Sequence, residues 1–247
     1  AMFRALEQEM GTAVEPVCMA GHSLGEYSAL VAAGALSLTD AVRTVKKRGA
    51  LMQSAVPVGE GSMIAVVGLS LEEVQSVCEE AAEGEVCEAS NVNSPTQIVI
   101  SGNTGALERA QKIIAERYSA KVVSLRVSAP FHCSLMRPVA DELEEAFQSI
   151  DWHAAKYPII ANATARPVQK IAEIRSALYK QIYTPVLWSQ SVIEMERNGV
   201  DGYIELGPGS VLSGLVRKIC KGKRPHAVSD SAALLEAADF LRGENNE

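Results

Sequence analysis

The spacing of apolar residues changes character several times along the chain. Residues 17–20 form a short apolar run typical of a buried parallel strand. Two stretches with helical spacing follow, at roughly 24–33 and 39–55, and the second begins at capping residues around Ser37. Residues 3–10 also have helical spacing, but no capping residue precedes them. We therefore expect this opening stretch to be the tail of an element whose beginning is missing.

Between about residues 62 and 125 the helical and strand periods alternate in one order. The pattern predicts strand, helix, strand, strand, helix and strand at 63–68, 71–82, 86–92, 97–101, 104–118 and 121–126. This is the order of split βαβ modules, which are called ferredoxin-like. Beyond Pro130 the pattern predicts a helix at 135–149, strands near 158–161 and 202–206, and helices near 171–181, 189–198 and 210–219.

The predicted fold class is α/β, with a larger domain interrupted by a smaller one. We expect residues 1–58 and 127–247 to form the larger, discontinuous domain and residues 59–126 to form the smaller one. The expected hinges between them are residues 57–61, which contain Pro and Gly, and residues 128–130, which end in Pro.

Composition narrows the class without indicating a chemistry. The 247 residues carry 23 basic and 30 acidic side chains, a net charge of −7, and this argues against nonspecific nucleic-acid binding. With 47 % apolar and 21 % charged residues, the chain is predicted to be ordered and globular. No run approaches the ~20 apolar residues of a membrane span, and no basic-then-apolar leader opens the chain. Five scattered cysteines favour reduced thiols, hence a cytoplasmic location.

The strongest chemical signal is Gly-His-Ser-Leu-Gly at residues 21–25. It is a G-x-S-x-G pattern between a predicted strand and a predicted helix, the context of a nucleophile elbow. Such a turn places the Ser23 hydroxyl at a helix N-terminus, where the backbone N–H of Leu24 is the natural oxyanion donor. The pattern also arises by chance, so Ser23 is predicted as the nucleophile with a chance match as the alternative.

A serine nucleophile needs a base, and His132 is the best placed of the four histidines. It lies between the smaller domain and the next helix, where a cleft between two domains would form. His22 adjoins Ser23 but is expected to project away from it, and His153 and His226 lie in polar surroundings. From spacing alone, His132 is either the base or a packed loop histidine.

Arg48 is the residue whose position is most unusual. Its neighbours on the same face of the 39–55 helix are all apolar or small, and no acidic residue lies three or four positions away. A buried, unpaired guanidinium costs several kcal/mol. Arg48 is therefore expected either to pair with a distant carboxylate or reach the surface, or to bind the carboxylate of a substrate. No metal-ligand spacing and no P-loop or dinucleotide fingerprint occurs, so no bound cofactor or metal is predicted.

Several motifs together carry a resemblance that covers nearly the whole chain. They are Gly-His-Ser-Leu-Gly-Glu-Tyr at 21–27, Arg48-Gly49 with Met52-Gln53, Asn91-Val92-Asn93-Ser94-Pro95, Pro130-Phe131-His132 with Leu135-Met136, and Gly207-Pro208-Gly209. In order and spacing the chain resembles the malonyl-CoA:acyl carrier protein transacylase family. The resemblance implies an α/β-hydrolase-like large domain with an inserted ferredoxin-like small domain.

The resemblance also implies a reaction. Ser23 would attack the malonyl thioester, with His132 as the base, and the malonyl group would pass to the phosphopantetheine thiol of acyl carrier protein. Arg48 would bind the free carboxylate of malonate, so acetyl groups would be rejected. Malonyl-CoA would be a substrate, and no cofactor would be bound. Coenzyme A and an acidic carrier need basic surfaces, for which the candidates are Arg43/Lys46/Lys47 and Arg217, Lys218, Lys221, Lys223 and Arg224.

Further residues gain expected roles from the same resemblance. The backbone carbonyl of Gln181 would orient His132, and Asn162 would help to order that region. Phe131 would narrow the cleft and exclude branched acyl groups. Asn91 and Asn93 lie two apart on a predicted strand and could line the cleft, or could form a turn before Pro95.

The family's opening strand and Gly-Gln-Gly-Ser-Gln loop, which supplies a second oxyanion donor, do not occur in this sequence. The sequence is therefore expected to be truncated or to belong to a degenerate relative. Two rivals to acyl transfer stay open. One is a serine esterase or thioesterase, which would need an acid between Ser23 and His132. The other is a truncated, non-catalytic relative.

Overall fold

Helices and strands alternate along the computed structural model, which describes residues 1–127 and 129–243. The helices are α1 Met2–Met10, α2 Leu24–Ala32, α3 Leu38–Ser54, α4 Leu71–Ala82, α5 Thr104–Arg117, α6 Arg137–Phe147, α7 Ile171–Gln181, α8 Trp188–Arg197, α9 Val211–Ile219 and α10 Ser231–Arg242. The strands are β1 Gly61–Val67, β2 Cys87–Ser94, β3 Gln97–Asn103, β4 Lys121–Ser124, β5 Ile159–Ile160, β6 Pro167–Val168, β7 Ile204–Leu206 and β8 His226–Val228. The predicted α/β class is confirmed.

The largest apolar core lies among α2, α3, α6 and α7. Tyr27, Leu30 and Phe147 are among its fully buried side chains, and Phe147 packs edge-on against Trp152. The helical spacing at 39–55 is confirmed by α3, whose first turn is capped because the Ser37 hydroxyl accepts a hydrogen bond from the Asp40 amide at 3.0 Å. This packing fixes α3 against α2. Side chains of α3 that face α2 can therefore approach the N-terminus of α2 at Leu24.

A second core belongs to the inserted module. Strands β1 to β4 form an antiparallel sheet in the order β2-β3-β1-β4, and α4 and α5 cover one face of it. The predicted β-α-β-β-α-β order is therefore present. A capping box between Ser70 and Glu73 begins α4. The buried strand residues Ile64 and Ile100 pack on the helices, so the module carries its own core.

The module is attached to the rest of the chain on both sides of the predicted cleft. On one side, the Val92 amide donates to the Val186 carbonyl and the Val186 amide donates to the Ser90 carbonyl, both at 2.9 Å. On the other, the Glu88 carboxylate accepts bonds from the amide and hydroxyl of Ser134, at 2.9 and 2.7 Å. These contacts hold β2 against the segment after α7 and against the loop after His132. The predicted domain boundaries at 58/59 and 126/127 stay a prediction.

Several short elements differ from the sequence-based expectations. The predicted strand at 17–20 is a single parallel bridge between Met19 and Ile159, made by two backbone hydrogen bonds of 2.8 and 2.9 Å. Pro16 has no N–H to extend the ladder, and Val17 is 54 % exposed. Strands β6 and β8 and helix α10 were not predicted. The predicted helix at 135–149 begins as α6 only at Arg137, after a 3₁₀ turn at Ser134–Met136.

Helix α1 is present as predicted and packs on the unpredicted α10. Leu6 is buried against Ala237 and Ala238, and α1 ends at Gly11, whose φ of 67° is left-handed. Among the described residues, no helix combines the length and the apolar character that crossing a membrane requires.

Candidate active site

Ser23 sits in a strained turn immediately before α2. Its φ of 53° and ψ of −107° are costly for a residue with a side chain, and such strain is characteristic of nucleophile elbows. The turn is so tight that a Cβ atom on Gly21 would lie 2.0 Å from the Gly25 carbonyl. Asn162 braces it, because the Asn162 Oδ1 accepts from the Ser23 amide at 2.6 Å and the Asn162 Nδ2 donates to the Gly21 carbonyl at 2.8 Å.

His132 is hydrogen-bonded to the Ser23 hydroxyl. The distance from Ser23 Oγ to His132 Nε2 is 2.8 Å, and His132 Nδ1 lies 2.7 Å from the Gln181 carbonyl oxygen. A carbonyl only accepts, so Nδ1 carries the hydrogen and Nε2 is free to take the serine proton. The ring is buried, and its backbone φ is 59°. Burial and the charge of Arg48 lower the pKa of His132 to about 3, against the hydrogen bond to Gln181, so the ring is neutral.

Arg48 reaches the same hydroxyl from α3. Its Nη2 donates to Ser23 Oγ at 2.9 Å and to Gln181 Oε1 at 3.2 Å, and its Cζ lies 5.8 Å from the centre of the Tyr27 ring. Only 6 % of the residue is exposed, yet no described carboxylate lies within ion-pair distance and its Nε has no described partner. Burial lowers the pKa of Arg48, but a guanidinium stays protonated. The site thus contains a buried cation with donors to spare beside the serine.

Behind these residues lies a buried carboxylate, Glu26. Its Oε2 accepts from the Gln181 side-chain Nε2 at 2.8 Å and from the Asn162 amide at 3.0 Å. The same Nε2 donates to the Ser23 carbonyl at 3.0 Å. Burial raises the pKa of Glu26 to about 7, although the bonds from Gln181 and Asn162 and the charge of Arg48 favour its ionised form.

The described hydrogen bonds of His22, Asn91 and Asn93 go to groups other than the Ser23 hydroxyl. His22 does turn away from the hydroxyl, since its Nε2 donates to Asn93 Oδ1 at 2.9 Å and its ring lies 5.7 Å from that of Trp188. Asn91 is buried, and its Oδ1 accepts from the Ser90 hydroxyl at 3.1 Å. The β2–β3 register shifts on both sides of this segment, between 89 and 91 and between 92 and 94.

Phe131 and Leu24 adjoin His132 and Ser23 in sequence, and their apolar side chains make no hydrogen bonds. Phe131 is partly buried and packs on the core that contains α2 and α3. Leu24 is 53 % exposed, and its predicted role as an oxyanion donor belongs to its backbone amide. Asn162 contacts the Ser23 turn and not His132, so any effect of Asn162 on the histidine passes through Ser23 or Glu26.

Two features of this site were not predicted from the sequence, Glu26 and the side chain of Gln181. The signal for Glu26 was available, because an acidic residue three positions before Ala29 and four before Leu30 falls on the buried stripe of α2. The Gln181 side chain gave no such signal, since Arg48 and Glu26 lie 133 and 155 positions away from it in sequence.

The arrangement supports nucleophilic chemistry at Ser23. A hydroxyl, a neutral imidazole oriented by a carbonyl and a nearby cation can form and break an ester, with the cation binding an acidic substituent of the acyl group. Within residues 1–127 and 129–243, no group of three or more His, Cys, Asp or Glu side chains could hold a metal ion.

Comparisons with known proteins agree with this chemistry. The acyl transferase domain family matches residues 1–237. Malonyl CoA-acyl carrier protein transacylase of Bacillus subtilis is 43 % identical over 242 residues, which cover 98 % of this chain and 76 % of that protein. The transacylase structure from Coxiella burnetii is similar with a TM-score of 0.93 and 41 % identity, covering 97 % of this chain and 75 % of that one.

A second similar structure was solved with its partner. It is a malonyl-transacylase in complex with its type II PKS acyl-carrier protein, with a TM-score of 0.92 and 41 % identity, covering 97 % of this chain and 77 % of that chain. This chain therefore spans about three quarters of the length of the relatives it matches.

We predict that Gly21→Ala destroys the serine turn. The new Cβ would meet backbone atoms, which cannot move aside as a flexible side chain can, so we expect a loss of about 1–3 kcal/mol or more in unfolding free energy. Ser23 should also lose its reaction with phenylmethylsulfonyl fluoride. Urea unfolding and intact mass measure the two effects. Gly25→Ala is the matched control, because nothing lies within 4 Å of its Cβ, and equal behaviour of the two variants would contradict this reading.

We predict that the His132 ring stays neutral from about pH 8 down to about pH 5. Its pKa of about 3 lies below that range, because burial and the Arg48 charge oppose protonation. ¹⁵N NMR of labelled histidines should show Nδ1 protonated and Nε2 unprotonated throughout, with the signal assigned by its loss in His132→Gln. A midpoint between about pH 6 and pH 7 for this ring would show that it is not desolvated as described.

Proposed function

The chain belongs to the acyl transferase domain family, and on that premise we propose how its residues move a malonyl group from malonyl-CoA to the phosphopantetheine thiol of acyl carrier protein. The protein is an acyltransferase of the malonyl-CoA:acyl carrier protein type, which serves fatty acid synthesis. Its proposed intermediate is an ester of malonate on Ser23. We also propose that it works in the cytoplasm, where its five free thiols stay reduced.

One observation carries the assignment of the residues. Arg48 Nη2 and His132 Nε2 both lie within 2.9 Å of Ser23 Oγ, from opposite parts of the chain. A guanidinium held there without a carboxylate partner is suited to a substrate that brings its own carboxylate, as malonate does. Leaving that cation unpaired penalises acetyl groups, so the same contact supports selectivity for malonyl groups.

In the first half-reaction, Ser23 Oγ attacks the thioester carbonyl carbon of malonyl-CoA. His132 Nε2 accepts the hydroxyl proton as the new C–O bond forms, and the backbone N–H of Leu24 is the proposed donor to the carbonyl oxygen as it becomes negative. The C–S bond then breaks, and His132 returns the proton to the departing sulfur. The products are the malonyl-Ser23 ester and free coenzyme A.

In the second half-reaction, the thiol of the carrier's phosphopantetheine replaces coenzyme A. His132 takes the thiol proton, the sulfur attacks the ester carbonyl, and Ser23 leaves with the proton returned by His132. No other group is needed, because the two half-reactions exchange one thioester for another. A bound cofactor therefore has no part in the proposal.

The remaining predicted residues are proposed to shape this site. Gln181 would orient His132 through its carbonyl oxygen, as the 2.7 Å contact supports, and Asn162 would hold the Ser23 turn. Phe131 would limit the size of the acyl group, and Asn91 and Asn93 would form part of the cleft wall through β2. A serine esterase with a Ser-Asp-His arrangement is not favoured, because the Gln181 carbonyl occupies the His132 Nδ1 position that a carboxylate would need.

We predict that the protein incubated with malonyl-CoA gains the mass of one malonyl group, and that Ser23→Ala gains none. The reason is that only an activated hydroxyl forms the ester. Intact mass spectrometry measures the adduct, and adding holo acyl carrier protein should discharge it onto the carrier. Ser28→Ala is the matched control, since Ser28 is exposed on the same helix, α2. Hydrolysis of malonyl-CoA without an adduct would instead support the esterase.

We predict that Arg48→Ala lowers kcat/KM for malonyl transfer, because a buried charge contact with the substrate is lost. The loss should correspond to ~2–5 kcal/mol of transition-state stabilisation. Acetyl transfer should fall much less, so the malonyl-to-acetyl ratio drops. Steady-state rates with the two CoA thioesters measure this ratio. Arg43→Ala, an exposed cation on the same helix, should leave the ratio unchanged. An unchanged ratio in Arg48→Ala would return this residue to a structural role.

A further inference from the structure

Glu26 is an ionisable group in the middle of the site to which the proposed reaction assigns no step. It lies in the first turn of α2, three residues after Ser23, and it is 1 % exposed. A carboxylate is expensive to bury unless hydrogen bonds and nearby positive charge compensate it. Here both hydrogen bonds converge on one oxygen, Oε2, and the N-terminus of α2 adds a favourable dipole.

Both partners of Glu26 are residues that touch the reacting groups. Gln181 donates a hydrogen bond from its side-chain Nε2 to Glu26. Its two oxygens bond to different residues: Oε1 accepts from Arg48, and the backbone carbonyl accepts from His132. The backbone amide of Asn162 donates to Glu26, while its side chain is hydrogen-bonded to the Ser23 amide and to the Gly21 carbonyl. The carboxylate is thus one residue away from the nucleophile, the base and the cation.

Glu26 helps to set the direction of the Gln181 amide group, together with the Ser23 carbonyl and Arg48. Nε2 can donate to Glu26 and to the Ser23 carbonyl only if Oε1 points the other way, toward Arg48. With Oε1 in that place, Arg48 has an acceptor that keeps its Nη2 within 2.9 Å of Ser23 Oγ. A carboxylate at position 26 can only accept from Nε2, whereas a carboxylic acid could also donate to Oε1 and so weaken this preference, and an apolar side chain would remove the contact.

We propose that Glu26 is the positioning residue of this site, whose carboxylate orients Gln181 and Asn162 so that Arg48 and His132 both reach Ser23. The inference rests on the proposed acyl transfer and adds to it the requirement that position 26 be negatively charged. Glu26 touches no reacting atom and acts only through its neighbours. Its charge also offsets that of Arg48 while no substrate carboxylate is present.

This role makes the reaction depend on pH near neutrality. Burial raises the pKa of Glu26 to about 7, whereas the groups that face it keep their states there. Arg48 stays charged, Tyr27 has a pKa raised by burial, and the pKa values of His132 and His22 are lowered by burial. Gln181 and Asn162 do not titrate. As the pH falls through about 7, Glu26 gains a proton and its oxygen loses acceptor strength, so acylation of Ser23 should slow.

The test measures single-turnover formation of the malonyl-Ser23 ester by quenched-flow mass spectrometry between about pH 5.5 and pH 8.5. Wild type should slow about tenfold between pH 8 and pH 6, following the ionised fraction of a group with a pKa of about 7. Glu26→Gln keeps an acceptor oxygen but never carries a charge. It should be about 10²-fold slower at pH 8 and show no dependence on pH over this range. The KM of this variant for malonyl-CoA should rise as well, because Gln181 no longer holds the Arg48 guanidinium in position.

Two further variants separate positioning from folding. Glu205→Gln is the matched control, since Glu205 also accepts two hydrogen bonds, from the Leu212 and Ser213 amides at 3.0 and 2.7 Å, but contacts none of the site residues above. It should behave as wild type. Glu26→Asp keeps the charge on a shorter side chain, so it should be slower at every pH and retain the acid limb. If circular dichroism shows that Glu26→Gln does not fold, the pH profile of Glu26→Asp tests the role of Glu26 instead.

The outcomes distinguish this inference from the proposed function. If wild type forms no malonyl ester at any pH, the acyl transfer proposal fails. The role of Glu26 is then tested by the same pH comparison, with the reaction of Ser23 with phenylmethylsulfonyl fluoride as the assay. If wild type forms the ester but Glu26→Gln matches its rate and its acid limb, acyl transfer stands and the role of Glu26 is overturned. An acid limb absent from wild type would overturn it equally.

Discussion

The whole site is built around one constraint: a guanidinium must remain buried beside the nucleophile with no carboxylate bound to it. Arg48 is held by neutral groups, the Ser23 hydroxyl, the Gln181 side-chain carbonyl and the face of Tyr27. Partial compensation comes from the charge of Glu26, which contacts Gln181 and makes no ion pair with Arg48. A direct pair would satisfy the cation and leave nothing for a substrate. Distance between the two charges is therefore what keeps the binding site available.

The same cation sets the properties of the base. Arg48 and burial together keep His132 unprotonated, so Nε2 is ready to accept a proton without a prior change of state. Its orienting group is a carbonyl rather than a carboxylate, which fixes the tautomer but offers less stabilisation to an imidazolium than an Asp would. When the substrate carboxylate reaches Arg48, the repulsion between the guanidinium and a protonated His132 is reduced. Binding of the acidic acyl group thus favours the proton transfer that follows, which links selectivity to rate.

Much of the fold was accessible from the sequence, because its long elements repeat their apolar positions many times. The helix α3, with its Ser37 cap, and the β-α-β-β-α-β module were predicted close to their observed bounds. Strands β6 and β8 have only two and three residues, too few for any period to show. In the site, Ser23 was visible from its glycines and Arg48 from its apolar neighbours. The Gln181 side chain was not, since its orientation follows from contacts between segments more than a hundred residues apart.

The attachment of the inserted module on both sides of the site has a consequence for how the chain becomes reactive. The module binds the loop after His132 through Glu88 and Ser134, and it binds the segment after Gln181 through Val186. His132 itself adopts a left-handed backbone that needs its surroundings to hold it. During synthesis, Ser23 leaves the ribosome long before the module and the later segments that complete its environment. A partly made chain therefore carries an inert serine, and reactivity toward thioesters arises only once the last of these segments has docked.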